Sequence, residues 1–243
     1  MQNSVIHSAL NKGKIYLVPT ILNSEALYVI PAYVHAITND VEIFFVENER
    51  TARRYLRKTG YEKNFDNILM VDLNANAVPP DLDQYMQLVL AGKNAAVLSE
   101  AGVPAVADPG TEVVRIAHAY NIQVIPLTGP SSIILSLMAS GLNGQRFSFN
   151  GYLPVKSDER RKVIKQLEHR METQNETQIF IETPYRNNAL IADVLQTCKN
   201  ETLFCIAASI TGPNEKILTK KIAEWKKLTY QLEKVPAIFL LGR

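Results

Sequence analysis

The chain has 243 residues, 47% of them apolar and 21% charged, which is the composition of a soluble globular protein long enough for two domains. Its 26 Lys and Arg against 24 Asp and Glu leave a net charge of only +2, which excludes the strong basic field of a non-specific nucleic-acid binder while leaving room for a local basic patch. Cys198 and Cys205 are too few for a disulfide framework, and Cys205 sits in an apolar run as a small core residue. His7, His35, His118 and His169 are scattered, so no metal site is expected. The N-terminus lacks the pattern of a signal peptide and no stretch approaches a membrane span, so a cytoplasmic protein is expected.

Residues 1–12 are polar and unpatterned and read as a mobile arm. Residues 14–18 read as a first strand, running into Pro19-Thr20-Ile21-Leu22-Asn23-Ser24. Ser24 is placed to cap a helix over 25–37, which Pro31 must kink or delay. A second strand, 42–46, leads into Glu47-Asn48-Glu49-Arg50-Thr51-Ala52-Arg53-Arg54. In a helix starting near Asn48, Arg50, Arg53 and Arg54 share a face that suits a phosphate-bearing substrate; the plainer alternative is a solvated basic face. A strand at 68–72, a loop over 74–80 and an amphipathic helix from Asp81 or Asp83 to Ala91 complete this part.

The chain is organised around residues 95–132. The apolar run 95–98 has the length of a buried strand and ends in Ser99-Glu100-Ala101-Gly102. Asp108-Pro109-Gly110 reads as a helix start, with Asp108 as N-cap and Pro109 at the first helical position. Val113, Val114, Ala117 and Tyr120 fit that helix's buried face, and 124–127 reads as the next strand. Thr128-Gly129-Pro130-Ser131-Ser132 opens another helix, 133–139, closed by Gly141. Two such strand-to-helix turns at the carboxyl ends of neighbouring parallel strands are where α/β proteins bind ligands. Beyond them come helices at 158–171, 188–196 and 222–227, and strands at 177–181, 203–208 and 237–241.

The segment S-E-A-G-V-P-A-V-A-D-P-G, residues 99–110, resembles the S-D-A-G-T-P-x-I-S-D-P-G signature of the ribosomal RNA small-subunit methyltransferase I family, within the tetrapyrrole methylase superfamily. The G-P-S-S of 129–132 resembles that family's G-P-S-A. Glu47, Arg50 and Arg53 match E-D-T-R-x-x-R, with Asn48 and Glu49 standing for Asp and Thr. Arg146 to Pro154 looks like R-F-x-F-x-G-F-L-P and is followed by Lys156 and Arg160-Arg161-Lys162, as basic residues follow in the family. Glu182-Thr183-Pro184-Tyr185-Arg186 resembles E-S-P-H-R, with Tyr185 for His. The chain departs elsewhere: the first turn keeps Asn23 but lacks both family glycines, the His-rich segment expected near 74–80 is missing, and the Arg-Glu pair of A-R-E-L-T-K is absent after Ala208.

The resemblance implies two α/β domains, 1–127 and 128–243, with a cofactor cleft between them, and S-adenosylmethionine as cofactor. It carries the cofactor contacts onto Leu22, Glu100, Val103, Ser131 and Ser132, and in the second domain onto Ile181, Ala208 and Pro236. It assigns Arg50 and Arg53 to the substrate, ribosomal RNA or the small ribosomal subunit, and implies a homodimer. Methyl transfer needs alignment and, for a hydroxyl acceptor, a base. Glu47, Glu49 and Glu182 are the candidates for that base. The expected activity is methylation of a ribose 2′-hydroxyl in ribosomal RNA. The alternatives are a tetrapyrrole or other small-molecule acceptor, or a non-catalytic paralogue that only binds the cofactor.

Overall fold

A computed structural model describes residues 12–73 and 81–243. All but the last residue of the expected arm over 1–12, and the expected loop over 74–80, lie outside the described residues. The chain divides into two compact units, one formed by the described residues of Met1–Ile21 and Leu27–Pro130, the other by Leu22–Ala26 and Ser131–Arg243.

The first unit holds strands β1 (Lys14–Val18), β2 (Ile43–Val46), β3 (Leu69–Asp72), β4 (Ala95–Leu98) and β5 (Gln123–Pro126), and helices α1 (Ala32–Asn39), α2 (Glu49–Lys58), α3 (Leu82–Leu90) and α4 (Thr111–Ala119). The strands form one parallel sheet in the order β3-β2-β4-β1-β5. Both faces are covered, so β2 and β4 are buried at every position and read as continuous apolar runs. Side chains alternate between faces: Ile15, Phe45 and Val97 pack on α3 and α4, while Val18, Phe44 and Leu98 pack on α1 and α2. The helix expected over 25–37 starts late. Residues 27–29 form a short 3-10 turn, and α1 begins after Pro31 because proline's fixed φ suits a helix start and breaks an interior.

The second unit holds α5 (Ser132–Ser140), β6 (Phe147–Tyr152), α6 (Ser157–Gln174), β7 (Thr177–Ile181), α7 (Asn187–Thr197), β8 (Leu203–Ala208), β9 (Lys216–Lys221), α8 (Ile222–Trp225) and β10 (Ala237–Gly242). Its sheet runs β6-β7-β10-β8-β9, parallel only between β6 and β7. Phe180, Phe204 and Phe239 stack across three strands with ring centroids 6.1 Å apart, and the Trp225 indole donates to the Phe204 carbonyl at 2.8 Å. The opposite face packs Ile179, Cys205 and Leu240 on Ile133 and Leu137 of α5, with Leu22 against them. Among the described residues no helix is long and apolar enough to cross a membrane.

Candidate functional site

In the first unit the connections from the neighbouring strands β1 and β4 leave for opposite faces of the sheet, to α1 and to α4. Ligands bind at such a switch point, beyond the carboxyl ends of the strands. The two turns there are clasped by backbone. Thr20 N–H donates to the Gly102 carbonyl at 2.8 Å, and Gly102 N–H donates back to the Thr20 carbonyl at 3.2 Å. The hydroxyls of Thr20 and Ser99 both lie 3.4 Å from that same Gly102 oxygen. The strand order corrects one expectation: β4 and β5 are not adjacent, because β1 lies between them. The turn after β4 therefore meets the turn after β1. That first turn tolerates its missing glycines, since no described residue from Pro19 to Ser24 has a positive φ.

The loop that follows is strained. Ala105 and Ala107 both have φ of 63°, which costs a residue with a Cβ about 1–2 kcal/mol each. The expected helix start at Asp108 and Pro109 is not formed. Helix α4 begins at Thr111, after Gly110 at φ 124°, with no side-chain cap. A Cβ on Gly110 would lie 2.8 Å from Val97 Cγ1, so only glycine lets the loop lie against the strand.

Asp108, freed from capping, joins a group of carboxylates. Glu47, at the end of β2, accepts from Glu100 N–H at 3.2 Å, and the Thr51 hydroxyl donates to Glu100 Oε1. Burial, followed by the charges of Glu47 and Glu100, pushes the Asp108 carboxyl up to about 6. Burial also raises Glu47, against the opposing bond from Glu100 N–H. Val103 is half-buried and Glu100 is exposed. Asp108 is the group that sequence reading missed, because a carboxylate before Pro-Gly has the signature of a cap. Among the described residues no cluster of His, Cys, Asp or Glu is arranged to hold a metal ion.

Helix α2 is capped by Asn48, whose Oδ1 accepts from Thr51 N–H at 3.2 Å. The arginine face is not one free surface. Arg53 is paired with Glu49 and lies over the Phe65 ring at 5.2 Å, with Arg57 over the same ring at 4.2 Å. Arg50 and Arg54 are exposed and form no ion pair among the described residues. The bond from Arg53 also ties up Glu49 as a candidate base. The Tyr55 hydroxyl donates to the Pro19 carbonyl at 2.7 Å and so fixes α2 to the first turn.

In the second unit Ser131 caps α5, accepting from Ile134 N–H at 3.5 Å, and Ser132 is the first helical residue. Leu22 packs against the α5 core. Ile181, Ala208 and Pro236 lie along one end of the sheet: Ile181 pairs with Ile238 and Ala208 with Ala237, while the Pro236 carbonyl accepts from Ser209 N–H at 3.0 Å. Glu182 has no exposed side-chain surface. Its Oε1 accepts from Arg186 at 2.7 and 3.0 Å and from Thr183 N–H at 2.6 Å. Burial works to raise its pKa, but Arg186 and the Thr183 N–H outweigh it and hold the carboxyl below its ordinary range. Glu182 is thus an ion-pair partner, not a group poised to accept a proton.

No family model matches the chain. Among curated proteins it is 33% identical over 224 residues to the ribosomal RNA small subunit methyltransferase I of Buchnera aphidicola subsp. Schizaphis graminum, covering 90% of this chain and 75% of that one. It is 28% identical to the protein of the same name from Escherichia coli O157:H7, covering 88% and 71%. Among solved structures it resembles the methyltransferase CobJ, at 13% identity and a TM-score of 0.60 over 95% of this chain and 94% of that one. It also resembles uroporphyrin-III C-methyl transferase from Thermus thermophilus in complex with S-adenyl homocysteine, at 14% identity and a TM-score of 0.56 over 95% and 98%. The fold is therefore that of the tetrapyrrole methylases.

Proposed function

This chain belongs to the ribosomal RNA small subunit methyltransferase I family, and from that premise we propose that it methylates a ribose 2′-hydroxyl of small-subunit ribosomal RNA. It is a methyltransferase, with S-adenosylmethionine as its methyl donor. The observation that carries the proposal is the clasped, strained β4 turn, whose Glu100 and Asp108 meet Glu47 from the end of β2.

The residues present fit that donor. It is cationic at its sulfonium and its amino group, and Glu47, Glu100 and Asp108 make the β4 turn acidic. Glu100 is exposed and able to accept hydrogen bonds, and the half-buried Val103 offers an apolar contact. Ser131 and Ser132, at the start of α5, and Leu22, Ile181, Ala208 and Pro236 are the further cofactor contacts proposed from the family motifs. When bound, S-adenosylmethionine supplies a methyl group already activated by positive sulfur. The chain's own task is to orient the acceptor, exclude water and take its proton. A carboxylate with a pKa of about 6 is matched to that role near neutral pH, so Asp108, with Glu47 beside it, is proposed as the proton acceptor. Arg50 and Arg53 are proposed to grip phosphate, Arg53 by exchanging Glu49 for it.

The test is transfer of labelled methyl to isolated small ribosomal subunits, followed by mapping. Label in a single nucleotide of the RNA that blocks alkaline cleavage on its 3′ side is expected. Label on a base or a ribosomal protein, or none at all, would overturn the reading. A homodimer is proposed as the working state. Light scattering should then give twice the 27.2 kDa chain mass.

A further inference from the structure

The second unit contains a rigidly built surface that the proposed chemistry leaves unused. Strand β6 carries one extra residue relative to β7. Phe149 pairs with Ile179 and Tyr152 with Ile181, so Asn150 and Gly151 together face Phe180. This bulge is deliberate in its construction. The Asn150 amide donates at 3.2 Å to the Ser148 carbonyl, the Gln178 side chain and the Ile179 carbonyl, and Gly151 takes φ of 63°. Bulges re-aim the side chains that follow them. Here the residue that follows is Tyr152, 62% exposed at the strand's carboxyl end.

The chain beyond it is pinned from below. Buried Arg160 donates to the carbonyls of Pro154 at 3.4 Å and Val155 at 3.0 Å, while its other nitrogens grip buried Asp193. In the neighbouring turn Tyr185 is 80% exposed, next in the chain to Arg186, whose partly exposed side chain pairs with the buried Glu182, and the Lys234 ammonium lies 5.3 Å from the Tyr185 ring centre. Lys234 is itself held in place. Asn187 donates to the Val235 carbonyl at 2.8 Å, and Asn188 exchanges two bonds with Leu232. Ionic and amide groups thus fix three loops that carry two exposed tyrosines, with Arg186 and Lys234 beside them.

Fixed, exposed aromatic rings beside cations are the device by which proteins hold unpaired nucleotides, with the bases stacking on the rings and the cations meeting the backbone. We propose that Tyr152 and Tyr185 form a stacking platform for unpaired bases of the RNA substrate. The proposal rests on the RNA reading above and specifies it: the segment engaged is single-stranded. It also gives a role to Tyr185, which stands where the resembled motif has His.

The probe is a fluorescent 12-nucleotide oligoadenylate, alone and annealed to its complement, titrated with the full chain. The wild-type chain should prefer the single strand. Tyr152→Ala and Tyr185→Ala should each weaken single-strand binding about tenfold and leave duplex binding unchanged, while Tyr152→Phe and Tyr185→Phe restore it. Equal unfolding midpoints for all four variants exclude a folding defect. Unchanged single-strand affinity in the alanine variants, an equal loss on the duplex, or failure of phenylalanine to restore binding would overturn the platform alone. If the wild-type chain bound neither oligonucleotide and methylated no ribosomal subunit, the RNA reading would fall and the platform with it.

Discussion

Asp108 concentrates the argument at the scale of single residues. Its carboxyl titrates at about 6 in the fold against 3.8 in an ordinary environment, because burial and the charges of Glu47 and Glu100 oppose ionisation. Between those two values the unfolded chain has lost the proton that the folded protein still holds. Stability contributed by Asp108 therefore falls as pH rises from about 4 to about 6. Asp108→Asn cannot ionise, so it should unfold at the same temperature as the wild type near pH 4 and at a higher one above pH 6. Thermal melts across pH 4–8 measure this directly. The same variant should lose methyl transfer if Asp108 takes the acceptor's proton. A more stable and inactive enzyme is the expected pairing. Val103 gives a second test of the same turn. Val103→Trp should block the proposed cofactor contact at this turn, and calorimetry should show weaker binding of S-adenosylhomocysteine.

Helices α2 and α6 show how a basic run is divided between surface and interior. On α2, Arg53 is engaged by Glu49 and Phe65, whereas Arg50 is exposed. Arg50→Ala combined with Arg53→Ala should weaken RNA binding and reduce its salt slope by about 0.7 for each phosphate that is no longer neutralised. Affinity for the cofactor should hardly change. A filter-binding series over salt concentration reads both quantities. On α6, Arg160 belongs to the interior. Its side chain is 4% exposed and paired with Asp193 at 8%. Removing one partner leaves an uncompensated buried charge, so Arg160→Met should cost about 3–5 kcal/mol in denaturant unfolding. Adding Asp193→Leu should recover much of that loss, which distinguishes an unpaired charge from a packing defect.

Across the whole molecule, local chemistry was legible and long-range partnership was not. Strands 14–18, 95–98, 177–181 and 203–208 are formed where the sequence placed them. The wholly apolar run 95–98 is buried at every position, as a parallel strand covered on both faces requires. Ser131 caps its helix, and the turns after the central strands carry the small residues that such turns need. The family motifs, with Glu100 and Val103 among them, could be read from the chain because they are contiguous. The order β3-β2-β4-β1-β5 could not, and it is this order that sets the turn after β4 against the turn after β1. Nor could the diversion of Arg53 to Phe65, the burial of Arg160 against Asp193 or the basicity of Asp108. Asp108 lies 61 positions from Glu47, and Arg160 lies 33 from Asp193. Periodicity and capping depend on residues within a turn or two of one another. The charge state of a carboxylate and the fate of an arginine depend on what the fold brings beside them, and only the tertiary structure decides that.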